Sequence, residues 1–171
     1  MLDNIILIGF MGCGKTTFGT WIAKNKKMDF CDTDALIVEK EKKSINDIFR
    51  ENGEPYFRDL ETEIVKDLIK SRHNTVVSVG GGLPLKPENR ELLKKLGTVV
   101  YLRTSVEELT KRLAGDTTRP LLAGGNIREK ITHLMDMRLS DYLDAAEVII
   151  DTDGRSFDEM YENILKEKRE A

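Results

Sequence analysis

The sequence predicts one α/β domain, a parallel sheet with helices on both sides. Three observations carry that expectation. The chain has 171 residues, enough for one full hydrophobic core and too few for two. Short β-branched runs alternate with stretches of helical period, the pattern of strands joined by crossover helices. The first run, "NIILIGF" (Asn4 to Phe10), is apolar without alternation, as expected of a parallel strand covered on both faces.

That strand leads directly into Gly9-Phe10-Met11-Gly12-Cys13-Gly14-Lys15-Thr16, and Thr16 to Lys26 reads as a helix burying Phe18, Trp21, Ile22 and Ala23. Trp21 is expected in the core. Between Asp34 and Arg72 the pattern is almost wholly helical, with Leu60, Ile64, Val65, Leu68 and Ile69 on one face. This segment is an insertion between strands and a candidate substrate subdomain. Ser44-x-x-Asp47 and Ser105-x-x-Glu108 resemble capping boxes, and Pro55 stands at a first-turn position just after Asn52-Gly53. "TVVSV" (Thr75 to Val79), "TVVYL" (Thr98 to Leu102) and "EVIID" (Glu147 to Asp151) read as further strands. The stretch Arg112 to Asn126, "RLAGDTTRPLLAGGN", has little periodicity and the length expected of a functional loop.

Composition narrows the partners. A net charge of −3, with both signs interspersed, gives no broad basic face for nucleic acid and no polybasic membrane anchor. Small-molecule partners are expected. Cys13 and Cys31 form neither a disulfide framework nor a zinc cluster, and the N-terminal run starts with an acid and breaks at Gly9, unlike a signal peptide. A cytoplasmic location follows as an expectation. His73 and His133 have no metal-like partners at useful spacing and are assigned to structure or surface.

The strongest motif is the glycine-lysine loop, which fits G-x-x-x-x-G-K-[ST] and stands between a strand and a helix, where its mechanism requires it. Its glycines let successive N–H groups converge on phosphate oxygens, and the helix N-terminus adds partial positive charge. Lys15 would reach the terminal phosphates and Thr16 would ligate Mg²⁺; Gly12, Gly14 and Thr17 complete the cradle. Cys13 is a small spacer whose place at a helix N-terminus raises the question of thiol reactivity. ATPases, GTPases, kinases and nucleotide sensors all use such a loop, and no guanine-reading NKxD motif is present.

Four further groups stand out: "DTD" (Asp32 to Asp34), "GEPYFRDLE" (Gly53 to Glu61), "GGG" (Gly80 to Gly82) and "RPLL" (Arg119 to Leu122), joined by Arg138 with Tyr142 and Ala146 at four-residue steps. Each has a plain structural reading. The acids suit a turn or cap, Arg58 has ion-pair partners in Glu54 and Glu61, triple glycine suits a turn, and Arg138 suits a solvated helix face.

Taken together and in this order, the groups resemble the shikimate kinase family from the first strand to the last helix. The resemblance implies a three-layer α/β/α P-loop kinase fold, like that of nucleoside monophosphate kinases, with a central parallel five-stranded sheet. It divides the chain into a core (1–31, 73–111 and 127–171), a helical substrate-binding insertion (32–72) and a mobile lid (112–126). The implied reaction transfers the γ-phosphate of ATP to the 3-hydroxyl of shikimate, a step of chorismate and aromatic amino acid biosynthesis. The implied working unit is a monomer. Arg58 and Arg138 would hold the shikimate carboxylate, and Asp34 would orient or deprotonate the attacking hydroxyl. Gly81, with Gly80 and Gly82, would let backbone N–H groups approach the ligand. Asp32 would join the Mg²⁺ shell through water, facing away from Asp34 if the segment is extended. Lys15 and Arg119 would neutralise the transferring phosphoryl group, Arg112 would stack on adenine, and Arg155 would touch the nucleotide. Thr20-Trp21 departs slightly from the family pattern. The competing readings are a gluconate or nucleoside monophosphate kinase and a non-catalytic nucleotide-binding module; neither kinase accounts for "DTD", "FRDLE" and the glycine triplet together, and a module would be expected to lack Lys15, Asp34 or one of the arginines.

Overall fold

The computed structural model describes residues 3–170. Its strands are β1 (Ile5–Ile8), β2 (Asp29–Asp32), β3 (Thr75–Ser78), β4 (Thr98–Arg103) and β5 (Val148–Asp151), all parallel in the order β2-β3-β1-β4-β5. The helices are α1 (Lys15–Lys26), α2 (Thr33–Glu41), α3 (Ile45–Ser71), α4 (Pro87–Leu96), α5 (Val106–Leu113), α6 (Ile127–Ala145) and α7 (Phe157–Glu170). β2 was absent from the periodicity and came only with the family resemblance. Its Asp-Phe-Cys-Asp sequence has an acid at each end and buries only Cys31, because it is an edge strand.

β1 shows how the layers form. Successive side chains of a strand point to opposite faces. Ile6 and Ile8 join a core with Ile37, Leu60, Val65 and Leu93, under α2, α3 and α4. Ile5 and Leu7 join another with Phe18, Ile22, Leu109 and Ile164, under α1, α5 and α7. All four strand residues are fully buried, and so the run reads as continuously apolar. Asn4, just before β1, is the polar exception at 2% exposure. Its carboxamide donates to the carbonyls of Arg72 (3.0 Å) and Leu96 (2.9 Å) and accepts from the Thr75 amide (3.0 Å), fastening three chain segments at the amino ends of the strands.

Several local expectations change. The helical run from Asp34 breaks at Lys42, which has φ 56° and closes α2 before Ser44 caps α3. Within α3, Gly53 takes φ 82° and ψ 170°, so a second helical segment restarts there with Pro55 in its first turn, where a proline costs no hydrogen bond. Trp21 is half-buried, packed edge-on against Phe157 and Tyr161 at the margin of the core, because α7 covers only part of its ring. The first residues of the Arg112–Asn126 stretch remain in α5, and a 3-10 turn at Pro120–Leu122 interrupts the rest.

Candidate active site

The sheet order explains why distant motifs meet. β2, β3 and β1 are neighbours, so the segments after their carboxyl ends, Asp32–Asp34, Gly80–Gly82 and the Gly9–Thr16 loop, lie side by side. Ligand clefts of open α/β sheets form at those ends. Here they enclose a cavity of about 600 Å³, lined by Gly12 to Thr17, Asp32, Asp34, Gly80, Gly81, Arg112, Arg119 and Arg155.

The loop after β1 needs its glycines for conformation and for closeness. Gly14, at the N-cap of α1, has φ 97°, and Gly9 has φ 149° with no room for a side chain, since a Cβ would lie 2.8 Å from the Leu102 carbonyl oxygen. Lys15 Nζ donates to the carbonyls of Gly9 (2.8 Å) and Phe10 (3.0 Å), which holds the ammonium over the loop. Cys13 is only 3% exposed, so its place at the helix start does not make it an accessible thiol. Arg112 lies against the same loop, its Nη1 donating to the Gly12 carbonyl (3.2 Å) and its Nε to Glu108 (3.0 Å). Arg119 lines the cavity from the long loop and rests on Asp116, with Nε 3.2 Å from Oδ2.

The two acids of "DTD" are separated by a strand-to-helix turn, a correction to the extended-segment expectation. Asp32 ends β2 and caps α2, its Oδ1 accepting from the Ala35 amide (3.1 Å). Asp34 sits in the first helical turn, with Oδ1 buried and without a hydrogen-bond partner. Burial pushes its carboxyl pKa up, and Asp32 pushes it further, against the opposing pull of Lys15, Arg58 and Arg119. Thr33 between them is fully buried, its hydroxyl accepting from the Gly80 amide (3.0 Å).

The triplet shows what each glycine does. A Cβ at Gly80 would stand 2.8 Å from Asp34 Oδ1 and 3.2 Å from Glu61 Oε1; at Gly82 it would run into the Arg58 guanidinium. At Gly81 it would find ordinary contacts, the nearest being Arg138 Nη1 at 3.5 Å. The expected role of free backbone amides is therefore corrected at Gly80, whose N–H is already taken by Thr33, and the steric demand falls on Gly80 and Gly82 rather than on Gly81. The Gly81 carbonyl accepts from the Tyr142 hydroxyl (2.6 Å), a phenol that burial keeps protonated.

Arg58 makes the intrahelical pairs foreseen for it, to Glu54 (3.1 Å) and Glu61 (2.7 Å), and also lies at the triplet. Arg138 is only 6% exposed, with its guanidinium 5.8 Å from the Phe10 ring centre. Among the described residues it forms no ion pair, unlike Arg58 and Arg119. The carboxylate within its field, Glu61, is already paired with Arg58, and a buried cation without a close counter-charge is costly. It is the group in the site most in need of an anion.

Glu61 is 1% exposed, and Oε1 has no partner. Burial pushes its pKa up to about 7, although Arg58 draws it down. The raised value implies that the folded state binds the proton more tightly than the unfolded state, whose glutamate titrates near 4.5. That contribution to stability is complete below about 4.5 and is lost as pH rises to about 7. We expect the melting temperature of Glu61→Gln relative to wild type to rise across this window in thermal unfolding. Asp34 contributes a slope of the same sign in both proteins. A difference independent of pH would mean that Glu61 titrates normally.

Thr16 and Asp32 offer hard oxygen donors on the cavity wall, and no group of three His, Cys, Asp or Glu forms a metal cluster among the described residues. His73 lies at the surface, 3.6 Å from Asp3, and His133 is exposed. No helix among the described residues is long and apolar enough to cross a membrane. Glu61 and Thr33 escaped the sequence reading as site residues. Glu61 had a signal in its place three residues after Arg58, on the same helix face, whereas nothing in the sequence marks Thr33 as the group holding Gly80.

The comparisons agree with this geometry. The family model described as shikimate kinase matches residues 11–169. A shikimate kinase of Geobacter metallireducens is 47% identical over 161 residues, covering 94% of this chain and 89% of the relative. A solved structure described as shikimate kinase from Acinetobacter baumannii in complex with shikimate superposes with a TM-score of 0.89 at 37% identity, covering 99% of this chain and 94% of that one. A gluconokinase from Sinorhizobium meliloti, at 18% identity and a TM-score of 0.54, shares the fold alone. With the match running from the phosphate loop into the last helix, the chain belongs to the shikimate kinase family.

Proposed function

We propose that the protein transfers the γ-phosphate of ATP to the 3-hydroxyl of shikimate, with Lys15, Asp34 and Arg119 at the reacting groups and Arg58 and Arg138 on the acceptor carboxylate. One observation carries the residue assignment. Three consecutive glycines each lie beside a different side chain: Gly80 beside Asp34, Gly81 beside Arg138, Gly82 beside Arg58. A small ring bearing both a carboxylate and hydroxyls fits two guanidinium forks and one carboxylate acceptor around a floor without side chains. A nucleoside monophosphate leaves that combination unexplained, and gluconate, an open-chain hydroxy acid with the same two kinds of group, is separated from it by the choice of acceptor in the assay below.

The cradle formed by Gly12 to Thr17 binds the phosphates through backbone N–H groups, and Lys15 turns from its carbonyl partners to the terminal phosphates. Arg112 and Arg155, both on the cavity wall, support the nucleotide. Thr16 and Asp32 fit Mg²⁺, an ion that keeps most of its waters and needs few protein ligands. Mg²⁺, when bound, supplies charge neutralisation along the phosphates. Asp34 accepts the proton of the attacking hydroxyl or aligns it, while Arg119 brings positive charge as the lid, 112–126, closes and excludes water. The insertion, 32–72, supplies Asp32, Asp34 and Arg58. The working unit proposed is a monomer.

ADP release with shikimate, gluconate or AMP as acceptor tests the activity. Turnover with shikimate alone is expected. Turnover only with gluconate or AMP overturns the acceptor, and ATP binding without turnover on any acceptor favours a nucleotide-binding module. For the carboxylate, Arg58→Lys should raise the shikimate KM about tenfold or more and leave the ATP KM nearly unchanged, because lysine loses the bidentate fork. Equal effects on both constants would make Arg58 structural.

A further inference from the structure

Two adjacent residues of α4 reach both halves of the acceptor site without lining it. Asn89 is fully buried. Its Oδ1 accepts from the Thr62 hydroxyl (2.7 Å), which also lies 3.1 Å from the Arg58 carbonyl one helical turn earlier, and its Nδ2 donates to the Leu83 carbonyl (3.0 Å). Arg90 faces the other way. Its Nη1 donates to the carbonyls of Pro84 (2.9 Å) and Leu85 (3.2 Å) and to Asp141 (3.0 Å), while its Nε donates to Asp144 (2.6 Å). Asp141 follows Arg138 on α6 by three residues, and the Leu83–Leu85 turn follows the glycine triplet directly.

A continuous polar path therefore runs from the helix of Arg58, through Thr62 and Asn89, across the turn after the glycines, and through Arg90 to the helix of Arg138. Arg58 and Arg138 otherwise stand on helices far apart in sequence. A ligand held by two guanidinium forks requires their separation to be fixed to within about half an ångström. Apolar packing is non-directional, whereas a planar guanidinium with several acceptors fixes orientation. We infer that Asn89 and Arg90 are positioning residues that set the spacing of the two acceptor arginines; this rests on the acceptor site proposed above.

The test is steady-state kinetics with shikimate and ATP varied separately, using Arg90→Ala, Arg90→Lys, the double variant Asp141→Asn/Asp144→Asn, and Arg138→Lys as a control. Arg90→Ala should raise the shikimate KM about tenfold while the ATP KM stays within about twofold, since a displacement of the acceptor leaves the phosphate cradle whole. Arg90→Lys, which keeps charge and loses the fork, should fall between. Combined with Arg138→Lys, Arg90→Ala should add less than its separate effect, because it acts through Arg138. If Arg90→Ala fails to fold, the double asparagine variant takes both charges out of the clasp from the α6 side without opening a cavity. A shikimate KM within about twofold of wild type in the folded clasp variants, or equal rises in both constants, overturns the inference. When Arg138→Lys raises the shikimate KM and the clasp variants do not, only the clasp falls. When Arg138→Lys itself has no effect, the acceptor assignment fails and the clasp falls with it.

Discussion

Arg119→Ala should lose about 10³-fold or more in kcat while still binding ATP, the largest effect expected of any substitution outside the phosphate loop. The residue lies on the irregular stretch between α5 and α6, its side chain 41% exposed and, among the described residues, tethered to Asp116 three residues earlier. It borders two adjoining cavities, one shared with the phosphate loop and one shared with Asp34, Ser44 and Asn46. In the proposed reaction, closure of this stretch would bring the guanidinium from that boundary to the transferring phosphoryl group. Its contribution is then confined to the transition state, so kcat falls while the ATP KM changes little. Arg119→Lys should recover only part of the loss, because an ammonium cannot span two phosphoryl oxygens. Steady-state and single-turnover ADP release measure both variants. Unchanged turnover in Arg119→Ala would remove the residue from the mechanism.

Asp34→Asn should lower kcat by about 10² or more, within the range for a lost general base, and should not lower the melting temperature. The two halves of this prediction have one cause. Asp34 Oδ1 is buried without a partner, and burial together with Asp32 raises the carboxyl pKa. Ionised, the group is poorly solvated and therefore reactive toward a hydroxyl proton. Neutral asparagine removes that charge and relieves the fold, as expected where activity is held at the expense of stability. In wild type, kcat should fall toward acid along a limb displaced above the ordinary aspartate range, and a pH profile of the variant should lack that limb. A profile of unchanged shape would make Asp34 an orienting group only. A large drop in melting temperature would mean instead that the carboxylate is structural.

Much of this was legible in the sequence because the decisive residues are of types that few other roles explain. The glycine-lysine loop announces itself by spacing, and β1 by unbroken apolarity. β2 was not legible from periodicity, since an edge strand with two acids in four residues resembles a turn. Its neighbourhood with β3 and β1 is a property of sheet order, which no local pattern contains. That Asp32 and Asp34 meet different surroundings agrees with the reading of the sequence, but the cause differs from the alternation expected there: a helix starts between them, with Asp32 as its cap. Glu61 and Asn89 were hidden for another reason. Burial of a polar group is visible only once the packing around it is known, and the sequence reports the residue type without the environment that makes it unusual.

The fastening at Asn4 has a consequence for motion. One carboxamide ties the end of α3, the end of α4 and the start of β3 at the amino ends of the strands, opposite the working end. Opening there requires three segments to part together, whereas much of the stretch between α5 and α6 is bonded within itself and held to the core through Leu122. Local opening energies should therefore be graded along the strand axis, with amide exchange slow at the tied end and fast at the lid. On this reading the domain should behave as a clamped beam, stiff at the end tied by Asn4 and freer at the end proposed for the chemistry.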